Sequence, residues 1–152
     1  MRYYEDLIEG ERRSSGTRTV SEDELVAFAR QYDPQWFHTD REAARGSAFG
    51  GLIASGIFTM ALWRQLDHEI AHDIAWICGV AWDEVRFPAA VRPGDTLRAH
   101  ATCLAKRPSA KQPDRGVVTY QYVLENQRGE TVFSCRSTNL IRCRTPAASS
   151  AP

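Results

Sequence analysis

The longest hydrophobic pattern in the chain spans residues 52–72, where Ile53, Ile57, Met60, Ala61, Leu62, Leu66 and Ile70 recur at helical spacing. Its first half, 52–63, is apolar nearly all round, which predicts a helix enclosed by other elements, and its second half turns polar and should meet solvent. Upstream, Ser21-Glu22-Asp23-Glu24 has the Ser-x-x-Glu form of a capping box and opens a shorter helix through Leu25, Phe28 and Ala29 that ends against Pro34. Asp40 is placed to cap one further turn through Ala44.

No long helical pattern follows. Residues 74–87, 95–104, 116–125 and 131–142 are rich in Val, Thr, Tyr, Trp and Phe with partial alternation and read as strands, and 11–20 alternates well enough for an edge strand. Gln127-Arg128-Gly129-Glu130 reads as a hairpin turn, and 106–115, with Pro108, Pro113 and two lysines, as a long loop. One buried helix followed by a run of strands predicts an α+β domain over residues 1–144, with 145–152 as a disordered small-residue tail.

With 152 residues, one domain can bury roughly two thirds of its unfolded surface without staples. Lys plus Arg and Asp plus Glu are 19 each, so no global field attracts nucleic acid or an anionic membrane, and any anionic ligand must be held locally. Arg41, Arg45, Arg86 and Arg92 are the candidates for that. The four cysteines, Cys78, Cys103, Cys135 and Cys143, include no Cys-x-x-Cys pair and read as reduced structural residues of a cytoplasmic protein. Glu5, Asp6, Glu9 and Glu11 interrupt any signal-peptide pattern, and the apolar run 50–63 is too short to span a bilayer.

Chemistry concentrates between Tyr32 and Gly56. Asp33 and His38 lie five residues apart across a turn in which Pro34 discourages helix at Asp33, so both side chains can face one cavity. A carboxylate can accept a proton from water, and an imidazole can give or take one near neutral pH. The glycines at 50, 51 and 56 mark the entry to the long helix, expected to begin near Gly51, whose unpaired N–H groups and partial positive charge suit the oxygen of a polarised carbonyl. An acid, a base and an oxyanion site are the equipment for adding water to an α,β-unsaturated acyl compound, or removing it.

The run Phe28 to Asp40, with Phe49 and Leu52-Ile53-Ala54-Ser55-Gly56 after it, resembles the hydratase motif of MaoC-like dehydratases, the (R)-specific enoyl-CoA hydratases. A second stretch, Val85 to Leu97, with Arg86-Phe87-Pro88 and Arg92-Pro93-Gly94-Asp95, is similar to the strand-loop-strand of that family. The resemblance implies a hot-dog fold, an antiparallel sheet wrapped around a long central helix, and a homodimer that can grow into a larger assembly. It implies catalytic roles for Asp33, His38 and the Gly56 N–H, with Gln35, Trp36, Phe37, Ser55 and Ile57 around them as substrate-binding residues. The substrate would be an acyl-CoA or acyl-carrier thioester, with coenzyme A entering only as part of it and no cofactor or metal. Where the family usually has Asn, Pro and His, this chain has Gln35, Trp36 and Ser55, and the serine often found further along the helix falls at about Leu62.

Two alternatives stand beside this reading, a hot-dog thioesterase and a non-catalytic acyl-CoA-binding or partner subunit. A rival motif is also present: His68-Glu69-Ile70-Ala71-His72 matches His-Glu-x-x-His, but Ala75 and Cys78 occupy the places where the extended zinc-protease form has a glycine and a third histidine. A coincidental surface match is expected. His100 is expected to be structural, and Trp63, Trp76 and Trp82 are expected in the core.

Overall fold

The computed structural model describes residues 1–145, so the expected tail lies, but for Thr145, outside the described residues. After a 3-10 turn at Tyr4–Asp6 the elements run β1 (Arg12–Thr19), α1 (Glu22–Tyr32), α2 (Trp36–Thr39), α3 (Arg41–Ala44), α4 (Gly56–Ala71), β2 (Trp76–Arg86), β3 (Thr96–Pro108), β4 (Arg115–Glu125) and β5 (Thr131–Arg142). The strands form one antiparallel sheet in the order β1-β3-β4-β5-β2, with α4 against its inner face. This is the α+β architecture that the sequence pattern predicted and the hot-dog arrangement that the family resemblance implied.

Each element follows from local chemistry. Ser21 caps α1 by accepting from Glu24 N–H, and Asp40 caps α3 by accepting from the N–H groups of Glu42 and Ala43. β4 and β5 alternate buried and partly exposed residues, as a sheet with one face on the core requires. They are joined through a turn in which Gly129 takes φ +73°, a value glycine accepts without strain. β3 continues to Pro108, past the expected end, because its ladder with β4 persists to the Pro108/Gly116 pair. The expected loop at 106–115 shrinks accordingly.

The largest correction concerns α4, which begins at Gly56 and not near Gly51. Ser55 takes a non-helical N-cap conformation, φ −55° and ψ 141°, and its hydroxyl accepts from Ile57 N–H. Residues 52–54 stay outside the helix, with polar groups engaged elsewhere: Ile53 N–H donates to Phe37 C=O, Ile53 C=O meets His38 Nδ1, and Ala54 N–H donates to Val91 C=O at 2.8 Å. The helix is also less enclosed than its apolar sequence suggested, since Ile57 is 55% exposed.

Trp63 is the centre of the core, fully buried, with ring centroids of Tyr122, Phe133 and Trp82 at 4.9, 5.0 and 5.3 Å. Trp82 itself is half exposed and not in the core, because β2 is an edge strand with no neighbour on its far side among the described residues. Val80, Val85 and Phe87 are exposed along the same edge, and so is Cys78. All four cysteines are free. His100 ties three strands together, with Nδ1 2.7 Å from Ser14 Oγ on β1 and Nε2 3.2 Å from Glu125 Oε2 on β4.

Candidate active site

Asp33 terminates α1 at φ −154° and ψ 71°, a break that Pro34 enforces on the residue before it. The chain turns at once into α2, which carries the buried His38 back toward Asp33. His38 Nδ1 lies 2.7 Å from Ile53 C=O; a carbonyl only accepts, so Nδ1 holds the proton. Nε2 then faces Asp33 Oδ2 at 3.7 Å. That gap is longer than a direct hydrogen bond and lets one water touch both groups.

Ser55 fixes the carboxylate. Its hydroxyl donates to Asp33 Oδ2 at 2.6 Å while accepting from Ile57 N–H at 3.3 Å, so a single side chain caps α4 and orients the acid. Gly56 is the first residue of the helix, and its N–H has no partner among the described residues, as expected for a first helical turn. A side chain at this position would press on its cover, because an added Cβ would lie 3.1 Å from the Phe87 ring, which would have to give by a few tenths of an ångström. The helix start, its unpaired N–H and the imidazole open onto one cleft of about 540 Å³.

The walls of that cleft are Phe49, Ile53, Ala54 and Thr59 on one side and the segment from Phe87 to Arg92 on the other. The far wall is braced: Asp95, buried, accepts from Arg92 N–H through Oδ2 and from the Gln127 side chain through Oδ1. Arg92 in turn donates to Phe49 C=O at 2.7 Å across the mouth. The two sequence motifs are thus the two walls of one cleft, joined by the Ala54–Val91 hydrogen bond.

The expected site residues divide. His38 and Gly56 line the cleft, with Asp33 beside His38. Ser55 was expected to bind substrate, but it is wholly buried and acts on Asp33. Gln35 and Trp36 are exposed and line no part of the cleft; Phe37 stacks between Trp36 and Phe49, with centroids 5.3 and 5.5 Å away. Ile57 points outward. The Phe87–Arg92 wall was missed as a wall because only the fold brings it to the helix start. Of the four candidate arginines, Arg41 pairs with Glu22 and Arg45 with Glu42, while Arg92 alone lines the cleft.

His68, Glu69 and His72 lie on the exposed flank of α4. Glu69 accepts from Gly16 N–H at 2.9 Å, and His72 Nδ1 is 3.0 Å from Glu69 C=O. The glutamate is engaged with β1 and is not poised between two imidazoles. No cluster of three His, Cys, Asp or Glu spaced to hold a metal occurs among the described residues.

Residues 4–126 match the family described as MaoC like domain. The chain belongs to the MaoC-like dehydratase family. A crystal structure of a MaoC-like dehydratase from Rhodospirillum rubrum superposes with a TM-score of 0.89 at 40% identity, covering 95% of this chain and 99% of that one. The protein YdeM of Bacillus subtilis is 35% identical over 126 residues, 81% of this chain and 86% of that protein. The 3-hydroxyacyl-thioester dehydratase Z of Mycobacterium tuberculosis is 36% identical over 84 residues, 53% of this chain and 56% of that one. In this MaoC-like protein His38 and Gly56 line one cleft, and Asp33 stands 3.7 Å from the His38 ring. No helix among the described residues is long and apolar enough to cross a membrane.

Proposed function

We propose that this protein reversibly adds water to trans-2-enoyl thioesters to give (R)-3-hydroxyacyl thioesters. The observation that carries the reading is the convergence of Asp33 Oδ2 and His38 Nε2, 3.7 Å apart, beside the unpaired N–H of Gly56. The resemblance to 3-hydroxyacyl-thioester dehydratase Z supports the same reaction class.

In this reading, one water sits between Asp33 and His38. Its oxygen forms a bond to the β-carbon as Nε2 accepts its proton, and the π electrons of the double bond move toward the thioester oxygen. The Gly56 N–H and the N-terminal end of α4 stabilise that enolate-like oxygen. The imidazolium then returns a proton to the α-carbon, so atoms and charge balance and both groups are restored. Asp33, held by Ser55, orients the water and stabilises the imidazolium. The thioester supplies the electron sink, so no cofactor is needed beyond the coenzyme A or carrier arm of the substrate.

The same reading includes a homodimer joined along β2, whose edge exposes Val80, Trp82, Val85 and Phe87, an arrangement an unpaired strand seldom leaves open. A cytoplasmic setting fits the four free cysteines.

The test is absorbance at the enoyl-thioester band with short and medium trans-2-enoyl-CoA substrates, read alongside a thiol reagent. Loss of the band without thiol release, reduced at least a hundredfold by Asp33→Asn, is the expected result. A variant within about tenfold of wild type, worth ~1.4 kcal/mol of barrier, would remove Asp33 from the mechanism. Thiol release would make the protein a thioesterase, and silence in both channels a binding subunit.

A further inference from the structure

Outside the cleft, a line of polar side chains crosses the sheet on the face turned away from α4. His100 lies on β3 between the buried Ala99 and Ala101, so its ring points to that outer face, and Ser14 stands directly opposite it on β1. Ser14 Oγ is 2.7 Å from His100 Nδ1, and His100 Nε2 is 3.2 Å from Glu125 Oε2 on β4. A carboxylate only accepts, so Nε2 carries the proton and Nδ1 accepts from the Ser14 hydroxyl. Hydroxyl, imidazole and carboxylate therefore stand in the order that activates a serine, in which a base takes its proton and a carboxylate holds the base.

The edge strand is shaped to hold Ser14 there. The β1–β3 register shifts between Ser14 and Thr17, and the two residues in between are both anchored: Ser15 Oγ accepts from Ala99 N–H at 2.9 Å, and Gly16 N–H donates to Glu69 at 2.9 Å. Ser14 is exposed, while the His100 side chain is 12% and that of Glu125 32% exposed, so the hydroxyl is open and its base sheltered. Two arginines share the face by strand alternation, Arg12 two residues before Ser14 and Arg98 two residues before His100. Both are exposed, and among the described residues neither is in an ion pair, Glu125 being engaged by His100. Free guanidinium groups beside an activated hydroxyl suit a donor that carries phosphates. A tie between strands requires neither an exposed hydroxyl nor cations next to it.

We propose that Ser14 is an acyl-acceptor site, activated by His100 with Glu125, that takes an acyl group from an anionic thioester such as acetyl-CoA. Oγ bonds to the thioester carbonyl carbon as Nδ1 takes the hydroxyl proton. The carbon–sulfur bond breaks and the departing thiolate receives that proton, so one ester and one thiol are formed. The site lies on the opposite face of the sheet from α4 and does not depend on the hydration reading. The test is incubation with acetyl-CoA, which has no enoyl double bond to hydrate, read by peptide mass spectrometry for an ester on Ser14 and by a thiol reagent for released coenzyme A. Wild type should form the ester, or release thiol, in a reaction that Ser14→Ala abolishes. His100→Gln should slow it at least about tenfold. Glu125→Gln keeps an acceptor for Nε2–H without the charge, and should slow it several-fold with an unchanged thermal melt. S-acetyl-N-acetylcysteamine, which lacks the phosphates, should react several-fold more slowly at equal concentration. No Ser14-dependent ester or thiol, an undiminished rate in His100→Gln, or equal rates with the two donors would overturn the proposal. Enoyl hydration is measured separately, so either reading can fail without the other.

Discussion

Ser55 Oγ donates a 2.6 Å hydrogen bond to the same Asp33 oxygen that faces His38 Nε2. The capping residue of the central helix is therefore also what holds the acid in place, and the two roles separate experimentally. Ser55→Ala should cost about 1 kcal/mol of stability through the lost cap. It should also lower kcat by on the order of tenfold, with KM little changed, because the carboxylate loses its orienting donor and not its charge. Steady-state kinetics together with thermal melting checks this; a fall in stability with kcat intact would leave Ser55 a cap only.

Gly56→Ala tests the close cover of Phe87 over the start of α4. Alanine is the better helix former by roughly 1 kcal/mol, so the fold should not suffer. The added Cβ, however, meets the Phe87 ring at 3.1 Å, inside ordinary contact. Activity should drop at least several-fold as the ring is displaced across the cleft. Phe87→Leu in the same chain should restore part of it, and an equal loss in the single and double variants would show that the ring is not the cause.

Two buried or half-buried carboxylates should shift stability with pH in opposite directions. Burial raises the Asp67 carboxyl above its ordinary value, against the smaller opposing pull of Arg64. The folded state therefore holds this proton more tightly than the unfolded one, and the stability it contributes at acid pH is lost as pH rises through the folded pKa. Asp67→Asn should melt higher relative to wild type at pH 7 than at pH 4. Asp73 is held below its ordinary value, first by the hydrogen bond from Arg13. Its contribution is present above the unfolded pKa and lost as pH falls, so Asp73→Asn should be destabilising at neutral pH and near neutral in effect at the acid end.

The edge strand makes the fourth prediction. Trp82→Asp should reduce the sedimenting mass from about twice 17.1 kDa to a single chain, since it places a charge in the middle of the exposed apolar row on β2. Unchanged mass would place the interface elsewhere.

Much of this was legible before folding. The Asp33-Pro34 break, the alternation in 116–125 and 131–142, and the helical repeat after residue 56 depend on local preferences, which a short window of residues expresses by itself. The start of α4 was misplaced by five residues because Leu52, Ile53 and Ala54 continue the apolar helical pattern; they stay outside the helix with Ile53 N–H and Ala54 N–H bonded to Phe37 and Val91 and Ile53 C=O held by His38 Nδ1. Trp82 was misassigned for the same kind of reason, as an edge and a central strand share one composition.

The sequence by itself determined which segments become helix or strand, and it marked Asp33, His38 and Gly56 as candidates, because both are written in side-chain type and spacing. Only the tertiary structure decided that Ser55 serves Asp33, that Phe87 covers Gly56 and that Asp67 is buried. Those relations join residues tens of positions apart, or depend on burial, and become defined when α4 is seated on the sheet.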